Sequence, residues 1–184
     1  RKAIKDCKVE TTSFDDTCID LLSFDWCSIE MDRNWWWQIQ ALPFLGWFAQ
    51  SYRVFDPEER RQLASYCLNA LEQWLKQETH AENSPLRWHD HATAYRLNNL
   101  VNWLAVVSSD DELVEYVRLQ ESVINLAEII NTHVIWLNQE ENYSLHTNHG
   151  FDQAISVYSL GLYVKEAYWG EEIRTARTRL SGEL

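Results

Sequence analysis

The chain has 184 residues, 46% of them hydrophobic and 13% aromatic, which is enough for a sizeable core and too apolar for a disordered chain. Its formal net charge of −12 argues against general nucleic-acid binding and means that an anionic ligand would need a locally basic cleft. No run reaches the ~18 consecutive apolar residues of a membrane span, and Cys7, Cys18, Cys27 and Cys67 fit no zinc spacing, which leaves a disulfide within the first 27 residues or free thiols as alternatives.

Residues 1–32 read as an irregular entry segment with a short helix near Thr17 to Phe24, and Arg1 to Glu10 lacks the apolar stretch of a signal peptide. Asn34 to Arg53 is the first strong helix, with Asp32 or Asn34 as its cap. Trp36, Ile39, Phe44, Trp47 and Phe48 recur at helical spacing, and Pro43 inside the pattern predicts a kink or break. Asp56-Pro57-Glu58-Glu59 starts the second helix: an acidic cap, proline in the first turn, and glutamates facing the positive end of the dipole. Its stripe Leu63, Cys67, Ala70, Leu71 and Trp74 runs to about Gln77, and Glu78 to Pro85 is a loop.

Trp88 to Val107 is the third helix, with Ala92, Leu97, Leu100, Val101 and Leu104 apolar and polar groups crowding its first two turns. Asp110 to Leu137 reads as one long fourth helix carrying Leu113, Val117, Ile124, Ala127, Val134 and Leu137. Asn148 to Lys165 is the fifth, with Phe151, Ile155, Tyr158 and Leu162 on one side. Trp169 to Leu184 is the sixth, with Ile173, Ala176 and Leu180 inward. Short Val/Ile/Thr alternations are absent, so no sheet is expected and the predicted fold is all-α, built of antiparallel helix pairs in a single domain.

Three stretches carry candidate chemistry. At Asn148-His149-Gly150, backbone N–H groups and the positive end of a helix dipole meet an amide and an imidazole, a set suited to a carboxylate. The alternative is that Asn148 merely caps the helix and His149 is a satisfied surface group. In Trp88-His89-Asp90-His91-Ala92-Thr93-Ala94-Tyr95-Arg96, His91 and Tyr95 share a face, Asp90 could orient an imidazole or pair with Arg96, and Arg96 suits a carboxylate. A polar helix start with an Asp–Arg pair is the plainer reading. His89 and His91 do not share a face and no His-Glu-x-x-His occurs, so no metal is expected. Asn34-Trp35-Trp36-Trp37-Gln38 could stack a sugar, since three adjacent Trp cannot all face one way on a helix. No phosphate-binding glycine loop is present, so no nucleotide cofactor is expected.

Together, Phe24-Asp25-Trp26, Arg33-Asn34-Trp35-Trp36-Trp37-Gln38-Ile39, Trp88-His89-Asp90-His91-Ala92 with Arg96, and Asn148-His149-Gly150 resemble, in order and spacing, the helical domain of the heparinase II/III-like polysaccharide lyases, a superfamily that includes alginate lyases. The resemblance implies an incomplete (α/α) toroid of antiparallel hairpins followed by a β-sandwich domain, and β-elimination on a uronic-acid-containing polysaccharide. It implies a periplasmic or secreted location, no cofactor, and an acidic polysaccharide or oligosaccharide as partner. Asn148 and His149 would then bind the uronate carboxylate, lowering the barrier to loss of the C5 proton, and Trp88, His91, Tyr95, Arg96 and Gln153 would line the cleft. The family's proton-transfer Tyr lies several tens of residues beyond the Asn-His pair, and here no Tyr follows Tyr168. The expectation is therefore a fragment or truncated relative, incomplete at its C-terminus; a non-catalytic carbohydrate-binding or scaffold module of the same fold is the alternative.

Overall fold

The computed structural model describes residues 9–10, 18–27, 32–77, 86–119, 125–163 and 168–183. Among these residues the regular structure is helical apart from one small strand pair. β1 (Val9–Glu10) runs antiparallel to β2 (Cys18–Ile19), with Val9 opposite Ile19 and Glu10 opposite Cys18. This two-residue pair lies where no strand was expected but leaves the chain all-α, and a turn at residues 21–23 replaces the helix expected near Thr17 to Phe24. The cause is local: the Asp20 carboxylate accepts from the Leu22 N–H and the Ser23 hydroxyl, both at 3.0 Å, and this competes with helix formation. Gln77 then clamps the entry segment, accepting from the Trp26 N–H at 2.8 Å and donating to the Phe24 carbonyl at 3.0 Å.

α1 (Arg33–Gln40) is capped by Asp32, which accepts from the N–H groups of Asn34 and Trp35. The chain breaks before Pro43. Leu42, fully buried, takes a left-handed conformation (φ 50°), and α2 (Pro43–Ser51) starts with the proline in its first turn. A 3-10 turn (Tyr52–Val54) leads to α3 (Pro57–Lys76). Here the expected start forms a reciprocal capping box, Asp56 accepting from Glu59 N–H at 2.9 Å and Glu59 from Asp56 N–H at 3.2 Å. Leu63, Cys67, Ala70, Leu71 and Trp74 are all buried.

α4 (Asp90–Ser108) is the central helix. Its buried residues cover several faces, and it packs on α1, α2 and three helices that follow it: α5 (Asp111–Leu119), α6 (Leu126–Asn138) and α7 (Asn148–Leu160). α8 (Gly170–Glu183) closes over α7 and α6. The long fourth helix of the sequence reading is two helices, because the Asn125 side chain accepts from the Glu128 N–H at 3.1 Å and starts a new one. Ile124, the loop 78–85, Lys165 and Leu184 lie outside the described residues.

The core has two parts. One joins α1, α2 and α3 to Leu100, Trp103 and Val107 of α4; the other joins Ala94, Leu97 and Val101 to α6, α7 and Ala176 of α8. On α7 the expected apolar side is the outer one. Phe151, Tyr158 and, just past the helix, Leu162 are exposed and Ile155 is half-buried, whereas Gln153, Ala154, Ser156, Val157 and Leu160 face inward. Close packing against α4 needs short side chains there, so the larger apolar groups fall on the other face. Cys27 and Cys67 are free thiols; Cys7 and the Cys18 side chain lie outside the described residues. No helix among the described residues is long and apolar enough to cross a membrane.

Candidate functional site

Two helix starts meet at one place. The first is α4, where His89 stands just before the helix and Asp90 is its first residue, so the carboxylate complements the dipole. The second is α7, where the Thr147 hydroxyl accepts from the Gly150 N–H at 3.1 Å. The same hydroxyl donates to the Ser144 carbonyl at 2.7 Å and folds the loop back onto the helix start. A Cβ at Gly150 would lie 2.3 Å from that carbonyl oxygen, which is why glycine follows His149. Leu86 and His146, in the segments that enter α4 and α7, both have left-handed backbones (φ 55° and 57°). Such residues cost on the order of 1–2 kcal/mol each, and the packed network around them offsets that strain.

Asp90 is the hub of this network. Its Oδ2 accepts from the Ser144 hydroxyl at 2.5 Å and lies 3.0 Å from His149 Nδ1. Its Oδ1 accepts from the His91 N–H at 2.7 Å and lies 3.0 Å from His89 Nδ1. Burial alone would push this carboxyl up; the Ser144 hydroxyl, His149 and the His91 N–H outweigh it and hold it below the usual carboxylate range. Burial pulls the His89 imidazole down, with Asp90 opposing, and Arg33 Nη2 lies 3.4 Å from His89 Nε2. His91 Nε2 lies 2.8 Å from Asp152 Oδ2, a close approach of α4 and α7 that makes no hydrogen bond.

The rings form a stack. Trp37 lies on His91 with centroids 4.9 Å apart and planes 7° from parallel, and His91 lies on His149 at 4.4 Å. Tyr95 closes the edge, 4.8 Å from His91 and 6.2 Å from Trp37, with 40% of its surface exposed. Burial and then Asp152 push its phenol up, so it holds its proton more tightly than a free tyrosine. Of the three adjacent tryptophans, Trp35 and Trp36 are buried in the core and Trp37 is the one that turns to the site.

The structure thus brings together Asn148, His149, His91 and Tyr95, with Asn148 exposed at the first position of α7. It separates the other three expected lining residues. Arg96 is fully buried, its guanidinium held by His133, the carbonyls of Gln40 and Arg87, and Thr93, so no surface remains for a ligand. It does not pair with Asp90, which orients the His149 imidazole instead. Gln153 is buried and fastens the loop, accepting from Ser144 N–H at 3.0 Å and donating to the Asn142 carbonyl at 2.7 Å. Trp88 turns toward His133 and Trp136 and lines a separate cavity of about 350 Å³ with Trp74, Glu72 and Glu128.

Sequence reasoning passed over Ser144, Asp152, His89 and Arg33 as members of the site. His89 and Arg33 stand in the motif stretches without a role of their own, and Asp152 falls four residues after Asn148 on the same helical face, whereas Ser144 carries no such signal. Although three imidazoles gather, no three His, Cys, Asp or Glu among the described residues are placed to hold a metal ion. Chemically, the arrangement offers a flat aromatic wall, an oriented imidazole, an exposed amide at a helix N-terminus and one exposed guanidinium. Comparison with protein-family models, with curated proteins and with solved structures returns no match to this chain.

Proposed function

We propose that this chain is the helical part of a polysaccharide lyase that cleaves a uronic-acid-containing glycan by β-elimination. In this reading the helices form part of an incomplete (α/α) toroid, the whole protein carries a β-sandwich domain and works in the periplasm or outside the cell, and no cofactor takes part. One observation carries the proposal: Trp37, His91 with Tyr95, and His149 come from three distant stretches and converge in one stack of rings, with Asn148 beside His149 in the chain. These are the stretches on which the family resemblance rests.

The chemistry follows from the groups present. A sugar ring stacks on Trp37 and Tyr95. The uronate carboxylate takes hydrogen bonds from the Asn148 amide, the first N–H groups of α7 and, when its ring carries both protons, His149; these stabilise the charge that develops as a base from outside this group of residues takes the C5 proton, the C4–O bond breaks and the leaving oxygen is protonated. Arg33, exposed beside His89, supplies a local cation that an acidic chain needs for an anionic ligand. The position of Tyr95 fits substrate contact better than proton abstraction, because its phenol is pushed up. That same observation favours a second reading, a carbohydrate-binding module without turnover.

The test is an assay of the protein on polyuronates of different linkage, following the absorbance of the unsaturated uronate product. An Asn148→Ala, His149→Ala double variant is expected to lose at least about a hundredfold in turnover. Unchanged turnover in the double variant would exclude this site; binding without product in the unsubstituted protein would select the module.

A further inference from the structure

We propose that Asp90 is a positioning residue that fixes which ring nitrogen of His149 meets a ligand. The inference rests on the carbohydrate reading for the ligand's identity alone.

An ionised carboxylate only accepts hydrogen bonds, so a nitrogen held 3.0 Å from Asp90 Oδ2 must carry a proton. His149 Nδ1 is therefore the donor. In the neutral ring Nε2 keeps its lone pair; in the charged ring Nε2 carries the second proton and Nδ1–H stays where it was. Either way, every proton that His149 exchanges with a ligand passes through Nε2. Rotation of the ring by half a turn would place carbon against Asp90, and the stack on His91 at 4.4 Å restrains that rotation.

Asp90 is itself fixed from both sides. On Oδ1 the His91 N–H at 2.7 Å is a backbone donor that cannot reverse. His89 Nδ1 lies 3.0 Å from the same oxygen but makes no hydrogen bond to it, so the His91 N–H alone holds Oδ1. On Oδ2 the Ser144 hydroxyl donates, and Ser144 is held by Gln153 and Thr147.

This asymmetry makes a discriminating variant. In Asp90→Asn the amide oxygen stays at the Oδ1 position, opposite the His91 backbone N–H, which cannot turn. The NH₂ group then faces His149 Nδ1, which must become an acceptor, and the neutral ring moves its proton to Nε2. Ser144 can rotate its hydroxyl to suit.

The experiment is ¹⁵N–¹H correlation of the imidazole rings in histidine-labelled protein, at a pH where His149 is neutral and without any ligand. The unsubstituted protein is expected to show His149 as the Nδ1–H tautomer. In Asp90→Asn the two ring nitrogens should exchange their chemical-shift positions, and in Ser144→Ala the Nδ1–H tautomer should persist. An Nε2–H tautomer in the unsubstituted protein overturns the inference, as does an unchanged His149 in Asp90→Asn. If Asp90→Asn fails to fold, loss of the Nδ1–H tautomer in Asp90→Ser, its persistence refuting the inference, takes its place. Since no glycan is present, failure here is separate from failure of the lyase reading, which the turnover assay alone decides.

Discussion

Arg96→Met is expected to destabilise the protein by about 3–5 kcal/mol, the cost typical of breaking a buried charged network from one side. The guanidinium is fully buried and joins elements that are far apart in sequence. It donates to His133 Nε2 at 2.6 Å, the Gln40 carbonyl at 2.6 Å and the Arg87 carbonyl at 2.8 Å, and it lies over the rings of Trp74 and Trp88. Methionine fills much of the space but leaves those acceptors without their donor. Lysine carries the charge but cannot present the planar fork, so it should recover only part of the loss. Urea unfolding followed by tryptophan fluorescence measures the effect, and a loss below about 1 kcal/mol would contradict it. The same network has an acid limit. Burial, then the neighbouring Arg96, hold the His133 pKa well below its ordinary value, while its Nδ1 donates to the Ile129 carbonyl at 2.7 Å. The unfolded chain therefore binds a proton that the folded chain refuses. The contribution is complete above the unfolded pKa of about 6.5 and is lost at up to about 1.4 kcal/mol per pH unit as pH falls toward the folded value.

Gly150→Ala should disorganise the site while leaving most of the helices intact. Alanine is the better helix former by about 1 kcal/mol, yet its Cβ would stand 2.3 Å from the Ser144 carbonyl oxygen and 3.0 Å from the carbonyl carbon. Backbone must move. Ser144 would leave Asp90 and Gln153, and His149 would lose the carboxylate that orients it. Overpacking of this kind costs about 1–3 kcal/mol. Misplacement of a reacting group by about 1 Å can cost about a hundredfold in turnover, and a loss of that order is expected if the chain is the proposed lyase. Far-UV circular dichroism should change little. An alanine variant with full stability and full turnover would show that the loop does not depend on this close approach.

What the sequence made legible was local. Asp56, Pro57 and Glu59 write a helix start in consecutive residues, and Asp32 and Pro43 mark a start and a break in the same way. Adjacent tryptophans at 100° steps must diverge, so one turned outward was foreseeable from helix geometry. The remainder is tertiary. Nothing within Trp88 to Arg96 reveals that the carbonyls of Gln40 and Arg87 close around Arg96. Reading a helix face by bulk apolarity selects the outer side of α7, because its inner side is built from Gln153, Ala154 and Ser156. The loop residue Ser144 carries no motif of its own, and its role exists only because Gly150 lets it approach. Those contacts decide which polar residues face the ligand and which hold the frame.

We propose that the three motif stretches make one acidic-glycan site. Titrating the labelled protein with an oligouronate, while recording its indole, phenol and imidazole resonances, tests this most directly. The Trp37, His91, Tyr95 and His149 signals are expected to shift together along one binding curve, with Trp88 and His133 unchanged. Shifts centred on Trp88 and His133, or none at Trp37 and His149, would contradict it.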